Sequence, residues 1–559
     1  MSETTVGAQH GVGRRGFLAG AAAVTGTALT STALTGTALA DTARATGTTA
    51  GKTAGTATGT TTATAAGNST GTGPLAFTNV TVIDGSGAPP APGMTVVVEA
   101  GRITALGPTA RTRLRPGTRT VDLTGKYLIP GLIEAHTHSD GPESVVPALY
   151  ALTGVTTVRE MRGEPVHHEW RDKIRGGELL GPRWVIGSPI VDGTPSLWAA
   201  DVGPTIEVGD AAEARRAVRR VKREGADFVK VYSRLSREAY FAIADEARRQ
   251  GIPHLGHCPD TVRIAEASAA GHRTIEHLHA LLLATSRHEK EIRRLLDAVR
   301  IDAGDPNSLS RYHSWFQQVH PLEWRAVRGY DRDRADALFR SLAAHGTAVV
   351  PTLSVHRTLE LPDEVPARAE EWKYLPAWQV EGWPDQLADL TGGRTPEQAR
   401  RIREIFAHRL RLVSELHAAG VRLAAGTDTG TGYLVPGFAL HDELALLVTA
   451  GLTPAEVLRA ATSDAARTLG LPAVGTVAHG QAADLLVLDA DPLRDIRNTR
   501  RIHGVVVDGR WIPPEERRRL LAAVEQSAAT TPPPEEETAT KGATLKRTTM
   551  KGCGCGGHP

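Results

Sequence analysis

A strand that ends in two histidines is the feature that most constrains the fold of this chain. Residues 127–140, YLIPGLIEAHTHSD, join an apolar, strand-like run to His136 and His138. Side chains in a strand alternate faces with a period of two, so both imidazoles leave the backbone on the same side. Two neutral imidazoles at one point make half of a transition-metal site, although polar loops also carry such pairs by chance. The rest of the chain decides between these interpretations.

Strand-like and helix-like patterns alternate over residues 128–470. Eight apolar or β-branched runs precede helical runs, and eight strands with intervening helices is the count of a TIM barrel. The pattern therefore predicts an α/β fold with a (β/α)8 barrel. The candidate strands are LIPGLIEAH, VTTVREM (155–161), RWVIGSPI (183–190), ADFVKVYS (226–233), IPHLGHC (252–258), RTIEHL (273–278), TAVVPTL (347–353) and VRLAAGTD (421–428).

One connection shows how the helices are delimited. Thr395 as N-cap and Pro396 at the first helical position open a run that stops at Gly420, directly before the eighth candidate strand. Residues 280–346 exceed what one helix needs. We expect them to form an insertion over the barrel mouth, and the sequence leaves its role as a lid open.

Short strands also flank the barrel on both sides. FTNVTVIDG, MTVVVEAGRITALG and TVDLTG lie before it, and VAHGQAADLLVLDADPL and RIHGVVVDGRWI lie after it. Gly and Pro punctuate these β-branched runs, as is typical of a small β domain. The segments 74–127 and 471–515 are therefore predicted to pair as one composite β-sandwich.

Ligand-type residues fall at the ends of candidate strands, where TIM barrels carry their chemistry. Lys230 lies in the apolar strand ADFVKVYS, where a free ammonium is costly to bury. A lysine paired with a core carboxylate is the alternative interpretation. His257, His277 and Asp428 end three later strands, and His279 is a rival ligand because it shares the face of His277.

The cysteines do not build a disulfide framework. Cys258 has the opposite strand parity to His257 and is predicted to pack away from the barrel axis, as is His254. The only other cysteines in the sequence, Cys553 and Cys555, lie in the last seven residues. The core must therefore be stabilised by packing and by metal.

The motifs PGLIEAHTH, FVKVY, IEH and GTD, in this order, resemble the amidohydrolase superfamily, metal-dependent hydrolases built on a (β/α)8 barrel. Their local contexts are most similar to the imidazolonepropionase-related branch, which includes Xaa-Pro and Xaa-Arg dipeptidase-like enzymes. The resemblance covers roughly residues 75–515. It also implies that the segments before and after the barrel form one domain.

The resemblance implies a binuclear zinc centre built from His136, His138, Lys230, His257, His277 and Asp428. The first two histidines and Asp428 would hold one ion, and His257 and His277 the other. Burial lowers the pKa of a lysine amine, and a neutral Lys230 can add carbon dioxide to give a carbamate that bridges both ions. A water shared by the metals would have its pKa lowered to about 7. Asp428 would act as general base and then as general acid.

We expect an enzyme that cleaves an amide bond in a dipeptide or an N-acyl amino acid. Tyr232 shares the strand face of Lys230 and is a candidate donor to a substrate carboxylate, with core packing as the alternative. Arg159 and Arg162 are further candidates for an anionic substrate group.

Two other functions stay open. One is hydrolysis of a cyclic or other non-peptide amide, but imidazolonepropionase-type enzymes use one metal and lack a bridging lysine. The other is a catalytically inactive, exported binding protein, against which the presence of all the ligand-type residues argues. The net charge of +2 gives no bias towards nucleic acid or an anionic membrane. Homo-oligomer formation is left open.

The N-terminus has the pattern of a targeting segment. Arg14 and Arg15 precede a weakly apolar run that closes with ALA at 38–40, which fits a twin-arginine signal peptide over 1–40; a chance basic pair is the alternative. We therefore expect the twin-arginine export machinery as a partner, an extracellular or cell-envelope location, and no stable membrane anchor after cleavage.

Two further segments have compositions that favour disorder. Residues 41–73 are almost entirely Thr, Gly and Ala, and we interpret them as a linker. Residues 516–559 begin as a basic helix and continue as a Gly-rich tail. The tail's Cys553, Cys555 and His558 could bind a soft metal, with an unstructured tail as the favoured interpretation.

Replacing Arg14 and Arg15 together by lysine should retain the precursor inside the cell, because an ammonium does not reproduce the planar guanidinium. Immunoblots of cells and medium measure this. Arg44→Lys, in the linker beyond the expected cleavage site, is the matched control and should be exported normally. Secretion of the double variant with residues 1–40 removed would contradict the twin-arginine interpretation.

Overall fold

The computed structural model describes residues 73–199, 203–365 and 369–533. The predicted signal peptide, nearly all of the linker, and the tail with Cys553 and Cys555 lie outside the described residues. Within the described ranges, no helix combines the length and the apolar character that a bilayer crossing requires.

Strands occur throughout the described residues. Numbered in chain order, they are β1 (Leu75–Val82), β2 (Ala91–Glu99), β3 (Arg102–Pro108), β4 (Arg119–Asp122), β5 (Tyr127–Pro130), β6 (Leu132–Thr137), β7 (Val155–Glu160), β8 (Arg183–Ile186), β9 (Ile190–Asp192), β10 (Thr205–Glu207), β11 (Val229–Val231), β12 (His254–Gly256), β13 (Thr274–Glu276), β14 (Ala348–Val350), β15 (Leu485–Leu488), β16 (Ile502–Val507) and β17 (Arg510–Ile512).

Helices separate most of the central strands. They are α1 (Val146–Leu152), α2 (Pro165–Arg175), α3 (Ala211–Arg223), α4 (Arg237–Gln250), α5 (Ile264–Ala269), α6 (His279–Ala284), α7 (Glu289–Leu296), α8 (Ser308–Arg328), α9 (Arg332–His345), α10 (Leu353–Glu360), α11 (Ala377–Glu381), α12 (Trp383–Thr391), α13 (Pro396–Ala418), α14 (Phe438–Thr449), α15 (Pro454–Ala460), α16 (Ser463–Leu469) and α17 (Pro514–Thr530). Short 3-10 helices lie at Thr109–Arg111, Pro362–Glu364, Glu370–Tyr374 and Ile496–Arg500.

The start of α13 confirms the predicted capping. The Thr395 hydroxyl accepts a hydrogen bond from the backbone N–H of Gln398 at 3.2 Å, and Pro396 occupies the first helical position, where its missing N–H costs nothing. The segment predicted as an insertion, residues 280–346, contains most of α6 and the helices α7, α8 and α9.

The segments before and after the central strands pair in one sheet. Its order is β17-β16-β15-β5-β1-β2-β3, with β4 paired to β1, and β5 runs antiparallel to β15. An apolar cluster on this sheet collects Phe77, Val96, Leu128, Leu485 and Val506 from five of its strands. The chain segments thus meet as expected, but they form one eight-stranded sheet, and the predicted two-sheet sandwich is not confirmed.

The first predicted barrel strand, LIPGLIEAH, is two strands. Residues up to Pro130 belong to the flanking sheet as β5, and the parallel strand β6 begins at Leu132. Gly131 makes the break: its N–H donates to the Asp484 carbonyl at 2.8 Å, and a Cβ there would lie 2.1 Å from Oγ1 of Thr156. This close approach requires glycine, and the chain passes from the flanking sheet to the parallel sheet at this residue.

The central strands form two parallel sheets. One has the order β6-β7-β8 and the other the order β10-β9-β11-β12-β13-β14. The predicted strand at 183–190 is split between them, because the chain leaves β8 at Gly187 and enters the second sheet at Ile190. A parallel bridge between Gly187 and Phe228 links the two sheets at this point.

The predicted eighth strand, residues 421–428, is not a regular strand. Leu423 makes one bridge to Val349 of β14, and the Ala425 carbonyl accepts from the N–H of Ala135 in β6 at 2.9 Å. The segment therefore lies between the last strand of one sheet and the first strand of the other. The architecture is α/β and TIM-barrel-like, without one continuous ladder of eight strands.

A buried ion-pair cluster joins the long helices beside the central sheets. Nη2 of Arg409 in α13 donates to both carboxylate oxygens of Glu323 in α8, at 2.9 and 3.0 Å. Its Nε donates to Oε1 of Glu360 in α10 at 2.8 Å. All three side chains are at least nine-tenths buried, so the guanidinium compensates two carboxylates that are removed from water.

Arg409→Ala should lower the free energy of unfolding by about 3–5 kcal/mol, because it leaves two buried carboxylates without their cation. Chemical denaturation monitored by circular dichroism measures the loss. Arg400→Ala is the matched control on the same helix, since Arg400 pairs with Glu397 on the exposed face. The control should leave the unfolding midpoint nearly unchanged. Equal midpoints for the two variants would contradict a stabilising role for the cluster.

Candidate metal centre

Three of the predicted ligands converge at the carboxyl end of β6. Nε2 of His136 lies 3.1 Å from Oδ1 of Asp428, and Nε2 of His138 lies 3.3 Å from the same oxygen. The ligand atoms of these three residues all lie within 4.8 Å of one another. They have the composition and spacing of a site for one divalent ion.

The two remaining histidines extend this group into a row. The ring of His277 lies 4.9 Å from that of His136, and the ring of His257 lies 4.8 Å from that of His277, measured between centroids. Oδ2 of Asp428 is 3.9 Å from Nε2 of His277. The structure thus brings His136, His138 and His277 together around the Asp428 carboxylate, with His257 next to His277.

Each imidazole has a polar neighbour at Nδ1. His136 pairs with Glu276 at 2.7 Å, His257 with the Ser233 hydroxyl at 2.8 Å, His277 with the Thr352 hydroxyl at 2.6 Å, and His138 lies 3.7 Å from Glu160. A hydrogen bond at one ring nitrogen fixes the tautomer and leaves the other nitrogen available as a ligand. For His136, His257 and His277 the Nε2 atom is therefore the nitrogen available to a metal, whereas Nδ1 of His138 makes no hydrogen bond within the described residues.

Glu276 orients His136 and was missed in the sequence. Glu276 directly precedes His277, and side chains alternate along a strand. The sequence pattern therefore predicts that Glu276 points away from the site. In the structure its Oε1 accepts from Arg159 at 2.8 Å while its Oε2 pairs with His136. Burial alone would raise the pKa of Glu276, but Arg159 and His136 hold it at about 2. The residue is thus an anion that directs Nε2 of His136 towards Asp428.

The hydrogen bonds of Arg159 contradict the prediction that it contacts an anionic group of the substrate. Its side chain is 1% exposed and donates to the Ala135 carbonyl and the Thr274 hydroxyl as well as to Glu276. Arg159 is therefore a positioning residue and is not available to a substrate. Arg162, by contrast, lines the central cavity, where it pairs with Asp140 at 2.6 Å.

The backbone explains why parity failed at these strand ends. His277 and Asp428 have φ values of 62° and 63°, in the left-handed region that non-glycine residues rarely adopt. The backbone therefore turns at His277 and at Asp428. A residue next to such a turn, such as Glu276, can reach the same site as its neighbour. Gly426 allows the segment 421–428 to lie close to β6, because a Cβ on Gly426 would lie 2.8 Å from the backbone nitrogen of His136.

Lys230 is fully buried on β11 and lines the same cavity. Its Nζ has no hydrogen-bond partner among the described residues. Burial lowers the pKa of Lys230 to about 8. The alternative of a lysine paired with a core carboxylate has no matching ion pair in the described part of the chain, and an unpartnered buried amine needs another compensation.

The electrostatics of the site suit metal binding. Burial lowers the pKa of His138, and it lowers the pKa of His257 and His277 well below the ordinary imidazole value. Burial alone would raise the pKa of Asp428, but His136 and the other imidazoles hold it well below its ordinary value. Neutral imidazoles around an ionised carboxylate are the protonation states that divalent cations bind.

His136 provides a direct test of fit. Its Nε2 is buried and makes no well-aligned hydrogen bond within the described residues, although Oδ1 of Asp428 lies 3.1 Å away. A bound cation would be coordinated by this nitrogen. It would also be coordinated by Lys230 in carbamylated form. The donor set therefore fits divalent metal.

The other sequence candidates lie in three different environments. Tyr232 stacks on His257 with ring centroids 3.9 Å apart and lines the cavity. His279 also lines the cavity, but its Nδ1 pairs with Glu323 at 2.9 Å. His254 lies against Tyr240 of α4. Cys258, which was predicted to pack away from the barrel axis, also lines the cavity, and its thiol donates to the Val262 carbonyl at 3.4 Å.

The sequence model of the Amidohydrolase family matches residues 127–512. The chain therefore belongs to the amidohydrolase family. Imidazolonepropionase of Deinococcus deserti is 45% identical over 82 residues, 14% of this chain and 20% of that protein. The chain spans 38% or less of the length of such curated relatives.

Solved structures extend the similarity over most of the chain. A bottromycin amidohydrolase has a TM-score of 0.61 and 26% identity, covering 81% of this chain and 90% of that one. A candidate prolidase from Bifidobacterium longum has a TM-score of 0.55 and 27% identity, covering 82% and 100%. The sequence resemblance to the imidazolonepropionase-related and dipeptidase-like branch is thus confirmed.

Proposed function

We propose that the protein is a binuclear zinc amidohydrolase with a carbamylated Lys230 bridging the two ions. The observation that carries the proposal is the buried Nζ of Lys230, which has no hydrogen-bond partner within the described ranges and lies in the cavity that the four histidines also line. A neutral amine at this position can add carbon dioxide, and the resulting carbamate offers two oxygens to two cations.

The residues divide into two ligand sets. His136, His138 and Asp428, whose donor atoms already lie together, would hold one ion. His257 and His277 would hold the other. Bound divalent ions supply Lewis acidity to the substrate carbonyl and make a water acidic near neutral pH. Glu276 and Arg159 keep His136 in the tautomer that this arrangement needs.

Asp428 is suited to move the proton during amide cleavage. Its Oδ1 faces the Nε2 atoms of His136 and His138, whereas Oδ2 lies 3.9 Å from His277. Oδ2 would accept a proton from the attacking water and return it to the leaving nitrogen. Asp428 thus combines the roles of ligand, general base and general acid.

The proposed substrate is a dipeptide or an N-acyl amino acid. The likeness to the B. longum candidate prolidase supports an amide near a free carboxylate, and Tyr232 lines the cavity beside His257. The imidazolonepropionase relative supports the alternative, a cyclic or other non-peptide amide. An inactive binding protein is disfavoured because the ligand-type residues are all present around one cavity.

Lys230→Ala should bind about one divalent ion less than the wild type, which we expect to hold close to two per chain when bicarbonate is supplied during expression. Elemental analysis of the purified proteins measures this. Lys173→Ala is the matched control, because Lys173 is a partly exposed lysine of α2 that pairs with Glu143. One ion in both the wild type and Lys230→Ala would exclude the carbamate bridge.

Asp428→Asn should keep much of the metal and lose turnover, because the amide retains an oxygen ligand but cannot accept the proton. Metal analysis and hydrolysis assays of the same preparation separate the two roles. Substantial turnover by this variant would contradict Asp428 as the general base.

Tyr232→Phe should lower kcat/KM on a dipeptide by roughly ten- to a hundredfold, because the variant loses a hydrogen bond to the charged carboxylate of the substrate. The loss should be much smaller on the same dipeptide with an amidated carboxyl group, which is the matched control substrate. Equal wild-type activity on free-acid and amidated substrates would favour a broader or non-peptide amidase.

A further inference from the structure

We propose that the cavity face of α8 selects substrates that carry a large aromatic group beside the scissile amide. This inference rests on the proposed amide hydrolysis and specifies its substrate class. It assigns a role to the segment 280–346, which the metal chemistry does not use.

The face is defined by helical spacing. Tyr312, Trp315, Phe316 and Val319 recur at intervals of three and four residues, so they share one side of α8, and all four line the cavity of the metal centre. Tyr312 and Phe316 are only partly buried. A bound ring can therefore contact them without displacing the core.

An aromatic surface connects this face to the metal centre. Tyr232, which stacks on His257, has its ring centroid 6.2 Å from that of Trp198. Trp198 stacks on Tyr312 at 5.6 Å with an interplanar angle of 10°, and Tyr312 stacks on Phe316 at 6.3 Å. These spacings are those of interacting aromatic pairs, so a substrate ring can extend the series while its amide lies at the histidines.

Apolar side chains also reach the cavity from two neighbouring helices. Val355 and Leu359 of α10 and Leu387 and Leu390 of α12 line it. A ring bound there loses little hydrogen bonding and removes apolar surface from water. A small acyl or side-chain group would leave this surface hydrated.

Charge pairs near the C-terminal end of α8 fix the position of the helix. Glu323 accepts from Arg409 and from His279, which follows His277 by two residues. His320, Glu323 and Glu360 also have ligand-like spacing, but Arg409 pairs with both carboxylates. We therefore assign this cluster to positioning of the aromatic face and place no cation there.

The test compares matched substrates on metal-loaded enzyme. N-acetylglycine against N-(2-naphthoyl)glycine varies the acyl side, and N-acetylalanine against N-acetyltryptophan varies the amine side. We expect the wild type to prefer the aromatic member of at least one pair by more than tenfold in kcat/KM. Phe316→Ala should reduce that preference at least fivefold by lowering kcat/KM for the aromatic member.

Trp324→Ala is the matched control. Trp324 is also a partly buried aromatic residue of α8, but it lies beside Arg328 and Arg401 and does not line the cavity. Its replacement should leave the preference unchanged. Phe316→Leu serves as the second variant if Phe316→Ala does not fold, with the same direction expected. No aromatic preference, or equal effects of Phe316→Ala and Trp324→Ala, would overturn the proposal.

A binding measurement separates this proposal from amide hydrolysis. If the enzyme cleaves none of the four compounds, the affinity for N-(2-naphthoyl)glycine is measured by calorimetry with wild type and Phe316→Ala. At least fivefold weaker binding to the variant would support the aromatic face while the proposed reaction fails. Equal affinities, or no binding to either protein, would overturn the aromatic face itself.

Discussion

The buried pairing of Glu276 with Arg159 and His136 is the interaction on which the site depends. It joins side chains from β13, β7 and β6 in a region from which water is excluded. An unpaired charge here would be strongly destabilising, so the three strands must meet in this register. The same contact occupies Nδ1 of His136 and leaves Nε2 for a ligand. One carboxylate thus serves both the fold and the chemistry.

Much of the site could be predicted from sequence because its residues end apolar strands. The period of two placed His136 and His138 on one face, and the burial of Lys230 followed from its β-branched neighbours. Glu276 and Thr352 could not be found in this way, since the backbone turns into the left-handed region at His277 and at Thr352 itself. Strand parity has no meaning past such a turn.

The fold, too, was predictable from the sequence only in part. Alternating strand and helix patterns predicted the α/β architecture, and capping residues predicted α13. The break at Gly131 and the irregular segment 421–428 depend on contacts with distant backbone, namely Asp484, Val349 and Ala135. Such contacts leave no local periodic signal. The strand ends carry the proposed metal ligands and α8 lines the cavity, and this arrangement became visible only in three dimensions.

Anomalous X-ray diffraction from crystals of the metal-loaded protein, collected at the absorption edge of that metal, tests the central claim most directly. The account predicts two peaks roughly 3.5–4 Å apart, the usual spacing in two-metal sites, with carbamate density on Nζ of Lys230 between them. A single peak beside His136 and His138, with an unmodified Lys230, would contradict it.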